Sequence, residues 1–147
     1  MILKYFELKR EKLLNNILLF YGSNEGLKDE ILNNLIKNFN GEVSRYDEND
    51  LLSKKDDFLS EIKNESLFSS DRIVIISRVT NKISEFLNYL TSLSLENILV
   101  ILLSENLEKK SKLRQLFEKD KQLICVPFYE DDDRSLMKIV NDFLLKE

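Results

Sequence analysis

Residues 18–36, LLFYGSNEGLKDEILNNLI, decide the fold. The apolar run that leads into Tyr21 reads as a strand covered on both faces, Gly22 as a tight turn, and Leu27, Ile31, Leu35 and Phe39 as one face of a helix. That is the place of a phosphate-binding loop. Its pattern, G-x-x-x-x-G-K-[ST], supplies backbone N–H groups to wrap phosphates, a lysine for the terminal phosphates and a hydroxyl for Mg²⁺. Registered on Gly22, the sequence puts Lys28 at the lysine position, but Leu27 replaces the second glycine and Asp29 the hydroxyl residue. Registered on Gly26, the lysine becomes Leu27. Glu25 and Asp29 also bring negative charge to a helix N-terminus, where an anionic ligand needs a positive field. The same residues make an ordinary helix start with Ser23 or Asn24 as N-cap. The phosphate loop is degenerate.

Outward from this stretch, apolar runs and helical periodicities alternate. An opening helix precedes the strand ILLFY (17–21). The strands EVSRY (42–46), RIVIIS (72–77), NILVILL (97–103) and QLICVP (122–127) follow. Between them, Leu51, Phe58 and Ile62 share a helix started by Asn49 or Asp50. Ile83, Phe86, Leu87 and Leu90 share another, and a third spans 107–119. Five strands alternating with helices predict an α/β fold, a five-stranded parallel sheet flanked by helices. With one proline, three glycines and no polar linker, residues 1–130 read as one domain. The run EDDD (130–133) opens a last amphipathic pattern, Leu136, Ile139, Val140, Phe143 and Leu144, with Asp131 to Asp133 as its N-terminal cap. That pattern reads as the first element of a further domain.

Composition removes several chemistries. The 147 residues are 43% hydrophobic and 33% charged, ordinary for a globular chain, and include no histidine. Ser-His and Cys-His nucleophiles, and histidine-ligated zinc, are thereby excluded. Cys125 is alone, so it forms no internal disulfide and reads as a buried, inert thiol. No apolar run is long enough to span a membrane, and MILKYFELKREKLLNN mixes charge with apolar residues, so a cytoplasmic place is expected. A net charge of −4 argues against a protein that wraps nucleic acid.

Catalytic readings fail at particular positions. An ATPase on this sheet needs an acid closing the third strand to hold magnesium, yet RIVIISRV ends in Ser77 and Arg78. A phosphoacceptor receiver domain needs an acidic pair after the first strand and an aspartate ending the third, which YGSN and IISR do not supply, and Gly22 with Gly26 does not make G-x-G-x-x-G. Lys109, Lys110, Lys112 and Arg114 could meet phosphates, or could be the solvated face of a helix whose Leu113, Leu116 and Phe117 turn inward. The remaining feature is KNESLFSSD, a polar loop that carries a Leu67–Phe68 pair. The pair either folds back under the sheet or projects as a contact.

Four stretches in this order, LLFYGSNEGLKDE, EIKNESLFSSDRIVIIS, ENILVILLSENLEKKSKLRQLFEK and ICVPFYEDD, resemble the N-terminal domain of the delta subunit of the bacterial DNA polymerase III clamp loader. The resemblance covers nearly the whole chain. It implies an AAA+-type α/β domain over residues 1–130, with P-loop-like topology and no ATPase activity, and the start of a helical lid domain over 131–147. It implies that Leu67 and Phe68, flanked by Ser66 and Ser69, enter a hydrophobic pocket of the sliding clamp and help to open the ring during DNA replication. Other clamp-loader subunits would be met through domains outside this chain, contact with DNA would be weak, and no cofactor or catalytic residue is implied. The alternatives from other classes are a nucleotide-binding protein with a divergent loop and a basic-faced nucleic-acid accessory.

Overall fold

The computed structural model describes residues 1–9, 13, 17–37, 39–65, 71–93 and 97–129. Five strands, β1 (Ile17–Tyr21), β2 (Glu42–Asp47), β3 (Arg72–Ser77), β4 (Ile98–Leu103) and β5 (Leu123–Pro127), form one sheet in the order β2-β3-β4-β1-β5. Every pairing is parallel. The helices are α1 (Glu25–Ile36), α2 (Glu48–Ser53), α3 (Lys55–Glu65), α4 (Ser84–Ser92) and α5 (Lys112–Lys119).

Alternation along the strands divides the core in two. Leu19, Tyr21, Val74, Ile76, Val100 and Leu102 face one side, where Leu51, Phe58, Ile62, Leu87, Leu90, Leu113 and Phe117 cover them. Leu18, Phe20, Ile73, Ile75, Leu99 and Ile101 face the other, under Leu32 and Leu35 of α1 and Phe128. Burial on both faces is why these strands read as unbroken apolar runs. β2, at the sheet edge, is mostly exposed or half-buried, in keeping with its polar sequence. Because α1 leaves β1 on one face while α5 leaves β4 on the other, the crevice beyond the carboxyl ends of these neighbouring strands is the topological switch point, where ligands bind in open α/β sheets.

The structure departs from expectation in four elements, the first being α1, which ends at Ile36 and leaves Phe39 outside the helix though packed against the same core. Residues 1–9 form no α-helix. Ile2 bridges Cys125 in parallel, Leu3 N–H donates to the Cys125 carbonyl at 3.0 Å, Cys125 N–H donates to Met1 at 2.9 Å, and only a 3₁₀ turn, Tyr5–Glu7, follows. The backbone is thus satisfied by β5 rather than by itself. The helix expected to start at Asn49 or Asp50 is two helices, broken at Lys54, and Asp47 caps the first by accepting from Asn49 N–H at 3.0 Å. The 107–119 helix starts only at Lys112, because Ser111 caps it. Residues 130–147, with the amphipathic pattern, the acidic cap and the expected boundary near 130, lie outside the described residues.

Candidate functional site

Gly22 closes β1 with φ of 122°, and a side chain there would put its Cβ 2.1 Å from the Phe128 carbonyl oxygen. Only glycine fits. The turn is pinned from two strand ends: Gly22 N–H donates to the Glu105 carbonyl at 3.3 Å, Asn24 N–H to the Phe128 carbonyl at 3.0 Å, and the Asn24 amide to the Tyr129 carbonyl at 3.2 Å. Asn24 is the N-cap of α1 and accepts from Leu27 N–H at 3.1 Å. The Gly22, Asn24, Glu25, Leu27 and Lys28 N–H groups, which would wrap a phosphate, are spent inside the protein.

Lys28 completes the closure. Its side chain is buried, 4% exposed, and Nζ donates to the Gly22 carbonyl at 2.8 Å, the Ser104 carbonyl at 2.8 Å and Glu25 Oε1 at 2.6 Å. An ammonium has three protons, and all three are engaged. The lysine that the motif would aim at phosphates therefore fastens the loop to the end of β4. Beside it lies a depression of about 260 Å³ lined by Glu25, Lys28, Asp29, Ser77, Arg78, Leu103, Ser104 and Glu105.

At the carboxyl end of β3, where magnesium would need an acid, Arg78 stands with φ of 55° and its side chain 83% exposed, paired to Asp47. The acids come instead from the neighbouring β2 end. The Asn49 N–H and the Arg78 guanidinium hold the Asp47 carboxyl below the usual carboxylate range. Glu48 is buried and accepts from Thr80 N–H at 2.6 Å and the Thr80 hydroxyl at 2.7 Å. These two residues brace the β3 exit rather than face the depression. Sequence reasoning missed them, since an Asp-Glu pair at a helix start carries no sign of a partner thirty residues away.

The basic stretch separates into two kinds of residue. Lys109, Lys110 and Lys112 are exposed. Arg114 is not a phosphate ligand in waiting: Nε donates to Glu118 at 2.8 Å, Nη1 to the Leu107 carbonyl at 2.8 Å, and its guanidinium lies 5.1 Å from the Tyr21 ring centre. Leu113 and Phe117 are buried and Leu116 partly so, the inward face expected. Burial pushes the Cys125 thiol up, which suits an inert core residue.

Ser66, Leu67, Phe68 and Ser69 lie outside the described residues, but the chain on either side of them is placed. α3 ends at Glu65, and β3 begins at Arg72 at the amino edge of the sheet. The start of β3 is tightly held. A Cβ on Gly41 would sit 2.0 Å from the Asp71 carbonyl oxygen, Arg72 N–H donates to the Asn97 carbonyl at 2.8 Å, and the Arg72 guanidinium donates to Ser44 Oγ at 2.8 Å.

Residues 18–126, from the first strand to the last, match the family model described as DNA polymerase III, delta subunit. No curated protein matches the chain. Among solved structures, the fold is similar to that of the DNA clamp loader delta protein of Bacillus subtilis, with 17% identity and a TM-score of 0.57. The likeness covers 95% of this chain and 44% of that one, so the chain spans less than half the length of that relative.

Proposed function

The chain belongs to the DNA polymerase III delta subunit family, and from that premise we propose that it is the clamp-binding part of a clamp-loader delta subunit. In this reading it is an AAA+-type domain over residues 1–130, followed from 131 by the start of a helical lid domain. It acts in DNA replication in the cytoplasm as a non-ATPase component of the polymerase III holoenzyme. Leu67 and Phe68, with Ser66 and Ser69 beside them, enter an apolar pocket on the sliding clamp. The observation that carries the reading is the family match over 18–126, which includes this segment. Ring opening must come from differential binding, because a ligand shifts an open–closed equilibrium only by binding the two states unequally.

The absence of ATPase activity rests on separate ground. Lys28 has its three donors engaged, and β3 ends in Ser77 and Arg78 where a magnesium ligand is required. The nucleotide-binding alternative therefore asks for a loop that must first be taken apart. Two measurements test the proposal together. Complex formation with the cognate sliding clamp is expected, and calorimetry with Mg-ATP is expected to show no binding. A micromolar dissociation constant with turnover would promote the nucleotide-binding alternative, and a folded chain that does not bind the clamp would remove the clamp reading.

A further inference from the structure

We propose that the α-amine of Met1 is a modification-sensitive lock: unblocked, it closes the outer edge of β5 against the end of α5, and an N-terminal acyl group opens that edge. This lock is independent of clamp binding and of the Gly22 turn.

Residues 1–3 lie along the side of β5 that β1 leaves open. Leu3 N–H donates to the Cys125 carbonyl at 3.0 Å and Cys125 N–H to the Met1 carbonyl at 2.9 Å, a parallel ladder. Met1 N makes the next rung, donating to the Leu123 carbonyl at 2.8 Å. An amide N–H makes that rung equally well. Only an ammonium makes the other two bonds, to the Phe117 carbonyl at 2.6 Å and the Asp120 carbonyl at 2.9 Å. Phe117 lies in the last turn of α5, where carbonyls have no donor within the helix, and Asp120 is its C-cap. The helix field at that end favours a cation. One terminal group with three protons thus completes a strand ladder and caps a helix.

The arrangement accepts one chemical form of the terminus. Acylation replaces three protons and a charge by a single N–H, which leaves two of the three carbonyls without their donor. It also sets an acyl carbon about 1.3 Å from the nitrogen, which already has three oxygens between 2.6 and 2.9 Å away. Loss of Met1 fails differently, because the amine of Ile2 lies one residue, about 3.3 Å, further along the strand. The change reaches the core through Cys125, whose buried thiol donates to the same Met1 carbonyl at 3.7 Å.

Three forms of the full chain test this: unmodified, N-formylated by expression with deformylation blocked, and carrying one glycine before Met1. Both altered forms are expected to melt lower. Cys125, the chain's one cysteine, is expected to react with a maleimide at least about tenfold faster in them, the factor that local opening gains when it is easier by about 1.4 kcal/mol. Should an altered form not fold, the unmodified protein carries the test alone. Near about pH 7, its α-amine is expected to be acetylated by an N-hydroxysuccinimide ester at least about tenfold more slowly than in urea, because its lone pair is free only once the three bonds break. Equal melting and labelling in the three forms overturns the proposal, as does an α-amine that reacts as fast in the folded chain as in the unfolded one. A terminal peptide from the native protein that is acylated, or that starts ahead of Met1, overturns it as well.

Discussion

Lys28 shows how one position can keep a motif's residue and lose its use. A sequence register places it where a phosphate-binding lysine belongs, yet its three bonds make it a strut between the β1 turn and the end of β4. Lys28→Met keeps the apolar stem and leaves two buried carbonyls without their donor, so it should lower stability by about 1–3 kcal/mol, read from denaturant unfolding. Gly22→Ala combines a positive φ with a backbone clash and should cost at least about 2 kcal/mol in the same measurement. Asp47 supplies a pH test. Its folded-state carboxyl lies below the usual value, held there by the Asn49 N–H and the Arg78 guanidinium, so its contribution is present above about pH 4 and is lost as pH falls through the lowered value. Melting temperatures of the native chain and Asp47→Asn should differ most near neutral pH and converge in acid.

The elements were legible in the sequence to unequal degrees, for physical reasons. β1 and β3 have the bounds that their apolar runs predict, because strands buried on both faces must be apolar at every position. Termini set by long-range contacts were not legible. Ser111 starts α5 with its hydroxyl oxygen accepting from Arg114 N–H at 3.3 Å, while Asn81 Oδ1 accepts from Ser111 Oγ at 2.9 Å and Leu113 N–H at 3.1 Å. A residue thirty positions upstream thus helps to fix where the helix begins, and local periodicity, which runs on from 107, does not see it. Ser111→Ala should cost about 1 kcal/mol, visible as a lowered melting temperature. The extended residues 1–3 have the same origin, a backbone partner supplied by another element, whereas at the break the Lys54 N–H bonds locally to the Leu51 carbonyl at 3.1 Å. The candidate site was legible as a motif and a degenerate one. Its closure was not, because carbonyls carry no side-chain signature.

For the whole molecule, the sheet separates two regions with different fates. At the carboxyl ends of the strands, the switch point that commonly takes a nucleotide is sealed by the chain's own groups. At the amino edge, the start of β3 is held by the close approach of Gly41 to Asp71 and by the Arg72–Ser44 hydrogen bond. A platform with a closed ligand crevice suits a protein whose work is recognition. The central claim is that Leu67 and Phe68 carry clamp binding. Burying such side chains in a pocket is worth about 1.5–3 kcal/mol each, and central anchors cost about 2 kcal/mol or more on truncation. The most direct measurement is the affinity of the Leu67→Ala, Phe68→Ala double variant for the sliding clamp, taken beside its melting curve. The account predicts a loss of about two to four orders of magnitude with the melting curve unmoved, at about 1.4 kcal/mol per tenfold. A large fall in melting temperature, with full clamp affinity retained by the folded fraction, would contradict it.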